Sequence, residues 1–321
     1  MPTAAAPTPS PRPSAHDPAT SSQALSVPGA PDLRRVLAFC GIALAVTVVL
    51  SLPVATGLLP EAAVGLIVPL AQLSPLLAAL LVRRRGEPAR RALALAVPSW
   101  RVLGIVALAA TAAFVMVPLA RVLIGLAAGV PLAAEPAPVL SLLLAVPAVL
   151  AMQSLFAIGE EAGWRGWLHS ELTPFGFWPM SLFIGAMWAL WHAPIVLALG
   201  LAPRETVTYL GTIVAVAPLL AALREISGTV WAAVLGHGLL SSVRVAIEQN
   251  VLGPLGPVDA WLLDLCSWAL WLVVAWLVLR VGRSLAPSAA GDDPADGPAD
   301  DPVDGRAVGR GRTLPLRRLD A

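Results

Sequence analysis

The sequence is poor in charge, in cysteine and in lysine. Charged residues make up 13% of the chain, against about 25% in soluble domains. So few charges cannot clothe a soluble surface, and a hydrophobic share of 57% points to a polytopic membrane protein. Lysine is absent, so all 21 basic residues are arginine; we read this as the bias of a GC-rich genome rather than chemistry. The only cysteines are Cys40 and Cys266, each inside an apolar run. That argues against a disulfide framework and against a Cys-x-x-Cys or Cys/His metal spacing; both read as small buried hydrophobes. A formal net charge of +1 leaves no global field for nucleic acid. Strict apolar/polar alternation is also missing, which argues against a barrel and leaves helices as the way across lipid.

What the chain does have is apolar runs. A spanning helix needs about twenty such residues, and eight runs qualify as candidates: 36–58, 62–82, 102–126, one starting near 139, 179–199, 207–223, 230–250 and 261–279. The expected fold class is therefore all-α, a polytopic bundle of about eight transmembrane helices. Residues 1–35 are rich in Pro, Ala, Ser and Thr and read as a disordered tail without a signal peptide. Residues 284–321, with "GDDPADGPADDPVDG" followed by "GRGRTLPLRRL", read as a second one. Between the tails lie three helices in 36–138, a core in 139–250 and a last helix in 251–283. Arginine placement sets the orientation. "RRRGEPARR" lies between the second and third runs, Arg34 and Arg35 precede the first, and Arg280 and Arg283 close the last. The positive-inside rule then predicts a multi-pass plasma-membrane protein with both termini cytoplasmic.

The polar residues inside these runs are the candidate site. The fourth run continues through "GEEAGWRGWLHSEL" and meets a breaker only at Thr173-Pro174. Extended to Leu172, its helix places Glu160 about 18 Å from the cytoplasmic end. Glu161 and Arg165 are i and i+4 on one face and can neutralise each other; we expect a structural pair. Glu160 has no helical arginine partner. Two histidines, His192 in the fifth run and His237 in the seventh, sit at compatible depths, and ionisable groups in a membrane mark function by default. Ser241 and Arg244 share the His237 face. His16, in the first tail, and His169, near a helix end, are given no role. Glu160, His192 and His237 are expected to converge on a polar cavity opening toward the cytoplasm, walled by Trp164 and Trp188. A buried carboxylate with two imidazoles can activate water without metal, or form a partial Zn²⁺ shell from the same three side chains. The order is not His-Glu-x-x-His, so no soluble zinc-protease motif applies.

"EEAGWRG", then Trp188-x-x-x-His192, then His237-x-x-x-Ser241, resembles the CPBP family of intramembrane proteases, the CAAX proteases and bacteriocin-processing enzymes also called Abi or Rce1-like. Glu160, Glu161 and Arg165 match its Glu-Glu-x-x-x-Arg motif; Trp188 stands where an aromatic, usually Phe, precedes a histidine by four; Ser241 stands where Asn is usual. The resemblance spans roughly 138–250. It implies a helix bundle with a water-accessible cavity and peptide-bond hydrolysis. Glu160 would activate water with help from His192, and His237 and Ser241 would stabilise the oxyanion. The substrate would be a membrane-associated peptide or protein. Two other readings stand beside it: a non-catalytic scaffold or bacteriocin self-immunity protein of the same fold, and a proton-coupled small-solute transporter. The lack of an evident internal repeat argues against the transporter.

Overall fold

The computed structural model describes residues 31–135 and 137–285; the two tails predicted from composition lie almost wholly outside this range, as does His16. Among the described residues the architecture is helical throughout. Helix α1 (Leu33–Ala55) starts on the carboxylate of Asp32, which accepts from the backbone N–H groups of Arg34 and Arg35. The second run is broken: α2 (Val64–Gln72) and α3 (Ser74–Val82) meet at Leu73, where Pro75 supplies no N–H to continue the ladder. A short turn, α4 (Ala89–Ala92), leads to α5 (Trp100–Ala127), whose first turn is capped by Ser99. Helix α6 (Val139–Glu161) runs into a π segment, Ala162–Leu168, and then α7 (His169–Leu172). Gly176, with φ +82°, reverses the chain into α8 (Phe177–Ala198). Helix α9 (Pro203–Ser227) opens on proline, with Glu205 accepting from the Ala202 N–H, and ends at Gly228 in the left-handed region. The chain then forms α10 (Trp231–Leu239), a second π segment (Leu240–Arg244), α11 (Val245–Asn250) and α12 (Pro257–Leu285).

Seven of these helical runs are long and apolar enough to cross a membrane, by length and composition. The eighth expected span, 230–250, is helical from Trp231 to Asn250 but is not among the seven. His237, Ser241, Ser242, Arg244 and Glu248 lower its hydropathy. It does not need a lipid-compatible surface all round, because α10 is packed between α6, α5 and α9. Helix α8 lies against α1 and α9, and α12 closes over α9.

Close approach of α6 to its neighbours is set by glycine. A Cβ on Gly159 would fall 2.5 Å from the carbonyl oxygen of Gln72, and one on Gly163 would fall 2.5 Å from Pro75. This is small-xxx-small packing, in which backbones touch because nothing intervenes. It presses the glutamate helix onto the α2–α3 break.

The two ends of the bundle differ. At the end where α1 starts, Arg35 donates to the Val82 carbonyl at 2.7 Å and pairs with Glu171 at 3.4 Å. There too His169, fully packed rather than idle, meets Glu225 at 3.2 Å, and Arg283 reaches Glu225 at 3.7 Å. This arginine-rich face is tied shut. At the opposite face the loops after α5 and α11 exchange backbone hydrogen bonds, Ala133 N–H to Val251 and Gly253 N–H to Pro131. Beside them Arg121 and Arg204 share the buried carboxylate of Asp264.

Candidate functional site

The charged residues of "GEEAGWRG" are inside the protein. Glu160, Glu161 and Arg165 are at most 1% exposed, so each must find its partner in the bundle. Glu161 does so as its spacing predicts: Arg165 Nη1 donates to Glu161 Oε1 at 2.9 Å. The same oxygen accepts from His237 Nδ1 at 2.8 Å. That contact assigns the proton to Nδ1 and leaves Nε2 of His237 as the chemically available nitrogen.

Glu160 has a different shell. Gln72 Nε2 donates to Oε1 at 2.9 Å, and the Trp188 indole N–H donates to Oε2 at 2.6 Å. Both donors are neutral. Gln72 comes from the end of α2 at the Pro75 break, a residue that sequence reasoning passed over; a lone amide in an apolar run just before Ser-Pro was its only signal. Trp188 links the two shells, because the Arg165 guanidinium lies 4.2 Å from its ring centre.

His192, one turn after Trp188 on α8, bonds through Nδ1 to the Trp188 carbonyl at 2.9 Å. A carbonyl only accepts, so Nδ1 carries the proton and Nε2 keeps its lone pair. The His192 ring stands edge-on to Trp191 and to Tyr209, while Trp188 meets His237 at a ring separation of 5.3 Å.

A cavity of about 480 Å³ reaches these groups. Trp188, His192, His237, Ser241 and Tyr209 line it, together with Arg121, Arg204, Arg244 and Asp264. Three expectations are corrected here. Of the three groups expected to meet in the cavity, His192 and His237 line it and Glu160 does not, and His237 bonds to Glu161 because α10 approaches α6 on the face that carries it. Trp164 is not a cavity wall: it packs edge-on against Phe39 of α1 at 5.2 Å. The expectation assumed 3.6 residues per turn, and the chain after Glu161 is a π segment with a wider turn. Finally, the cavity does not open at the arginine-rich face. Its rim is built from Leu201, Arg204, Leu255 and Ala260, at the start of α9 and around the start of α12, which is the opposite end.

Among the described residues no three His, Cys, Asp or Glu side chains are grouped to hold a metal ion. Both Glu160 oxygens already accept from protein N–H groups, and Glu160 is not among the residues lining the cavity that both imidazoles face. The residues as arranged do not fit a Glu160/His192/His237 shell.

The helices that carry the motif are thus held as one hydrogen-bonded unit within a multi-pass membrane protein. No curated protein matches the chain. Residues 140–243, from α6 into the π segment after His237, match the family model Rce1-like, described as type II CAAX prenyl endopeptidase Rce1-like.

Proposed function

We propose that the protein is an intramembrane endopeptidase of the CPBP type, in which Glu160 is the general base. The observation that carries this reading is the contrast in partners: Glu161 is neutralised by Arg165, whereas Glu160 is equally buried and receives only neutral donors. A carboxylate oriented by an amide and an indole is placed to hold a proton and release it.

The chemistry closes on this chain's own residues. Glu160 takes a proton from water as the water oxygen bonds to the scissile carbonyl carbon. His192 Nε2, with its lone pair free, orients that water. The Ser241 hydroxyl donates to the carbonyl oxygen as it gains charge, and His237 joins it as an imidazolium, with Nδ1–H given to Glu161 and Nε2–H to the oxyanion. The C–N bond then breaks, and the proton held by Glu160 passes to the leaving amine. The substrate is a membrane-associated polypeptide, and the protein acts in the plasma membrane with both termini cytoplasmic. The test is release of peptides from membranes by the wild-type chain and by Glu160→Gln: the variant should fold and release none. Release by neither would support the scaffold or self-immunity reading, and equal release by both would remove Glu160 as the base. One observation favours the scaffold alternative: Glu160 is not among the residues that line the cavity, and both its oxygens accept from protein donors.

A further inference from the structure

We propose that the substrate enters from the non-cytoplasmic side, so that the bond cleaved belongs to a segment of an exported or membrane-anchored polypeptide presented at that surface, and not to a cytoplasmic chain. This rests on the proteolytic reading for the cleavage, but the side of entry stands on separate observations.

The first is where the cavity ends. His192 and His237 open into the space between the beginnings of α9 and α12 and the last turns of α5, with Leu201, Leu255 and Ala260 at the rim. The second is that the other end is closed. Below Arg165 the π segment is buried from Ala162 to Leu168. Arg224 donates to the Arg165 carbonyl at 3.1 Å, and the Arg35–Glu171 and His169–Glu225 pairs lie beneath. A peptide arriving from that face would have to break these contacts.

The third is the arginine distribution. The closed face carries Arg34 and Arg35, the five arginines of 83–91, and Arg280 and Arg283. At the open face the loops 56–63, 128–138, 199–202 and 251–256 contain none. The nearest arginines there, Arg121, Arg204 and Arg244, are within helices and line the cavity. Arginine in short loops marks the cytoplasmic side, so the open face is the external one. The mouth suits an extended chain: Leu201, Leu255 and Ala260 give it apolar walls, with Arg204 and Glu205 among them to meet backbone polar groups.

The experiment labels single cysteines in intact cells. In a background of Cys40→Ala and Cys266→Ala, Ala260→Cys puts a thiol at the cavity rim and Val97→Cys puts one on the arginine-rich face, where Val97 is 55% exposed. A membrane-impermeant maleimide should label Ala260→Cys in intact cells, and Val97→Cys only after the membrane is opened. The reverse pattern overturns the proposal. In parallel, the peptides released from cells with the wild-type chain and with Glu160→Gln are sequenced. Glu160-dependent fragments from non-cytoplasmic segments support the proposal; fragments from cytoplasmic segments overturn it. If no fragment depends on Glu160, the proteolytic reading fails, while the labelling still decides which face is open.

Discussion

Glu160 and Glu161 are neighbours in the chain, and the regions they face have little in common. Glu161 looks toward α10 and is enclosed by a guanidinium and an imidazole. Glu160 looks toward the α2–α3 break and is met by an amide and an indole. Two carboxylates side by side would repel if both environments were alike. Here one is the anion of an ion pair. On the proposed reading the region behind Glu161 is a frame and the region behind Glu160 a working site, joined through the Trp188 ring.

The comparison breaks most sharply at Glu160. Glu160→Gln keeps one carbonyl oxygen for the Trp188 indole N–H, and Gln72 can turn its amide to accept from the new NH2, but the variant cannot take a proton. The expected loss of peptide release is about 10²–10⁴-fold, the range of a general base, with a normal melting profile in detergent. Equal activity would sink the assignment.

At Glu161 the expected damage is to the fold. Glu161→Ala leaves Arg165 buried without its counter-ion, and breaking a buried pair in this way typically costs about 3–5 kcal/mol. Thermal unfolding in detergent should report it. Exchanging the two residues, Glu161→Arg with Arg165→Glu, restores the pair on paper. It also takes the acceptor away from His237 Nδ1, so we expect stability to recover partly and activity not at all. A well-folded, inactive Glu161→Gln would show instead that Glu161 does chemistry.

The donors to Glu160 come next. Gln72→Leu and Trp188→Phe each remove one hydrogen bond while keeping much of the side-chain bulk. A hydrogen bond to a charged group contributes about 1.5–3 kcal/mol, so each should lower turnover by about tenfold or more without a comparable change in substrate binding. Trp188→Phe also restores the aromatic usual at that motif position, so full activity there would mean that the indole N–H is incidental.

Periodicity revealed part of this in advance. The Glu161–Arg165 pair follows from i,i+4 arithmetic, and the extension of the glutamate helix past the charges follows from the position of Thr173-Pro174. Trp164 was misplaced because a π segment leaves no mark in an apolar pattern. Gln72 was missed because its contact with Glu160 spans 88 residues and depends on how closely α6 meets α2. Gly159 and Gly163, four apart, were the available signal for that approach. The side of the opening was lost for another reason: depth along a helix can be counted from either end, and only the packing of α9 and α12 shows which end is open.

The smallest expected effect is at Ser241, and it probes the far wall of the same site. Ser241 lies four residues after His237, at the start of the second π segment, and lines the cavity. Its hydroxyl is one neutral donor on a short stem. His237, as an imidazolium with its Nδ1–H on Glu161, supplies the other donor through Nε2–H. If the histidine holds most of the oxyanion charge, Ser241→Ala forfeits one neutral hydrogen bond, about 0.5–1.5 kcal/mol, and release should fall only a few-fold. A full oxyanion donor would cost about 10²–10³ in turnover, and a loss of that size would move Ser241 into the working site proper. Ser241→Asn separates the cases further. The cavity holds about 480 Å³, room enough for an amide, and the longer side chain brings its N–H closer to the reacting carbonyl. Activity at or above that of the wild-type chain is expected, and a drop below Ser241→Ala would show that the wall at this position is fitted to the smaller residue.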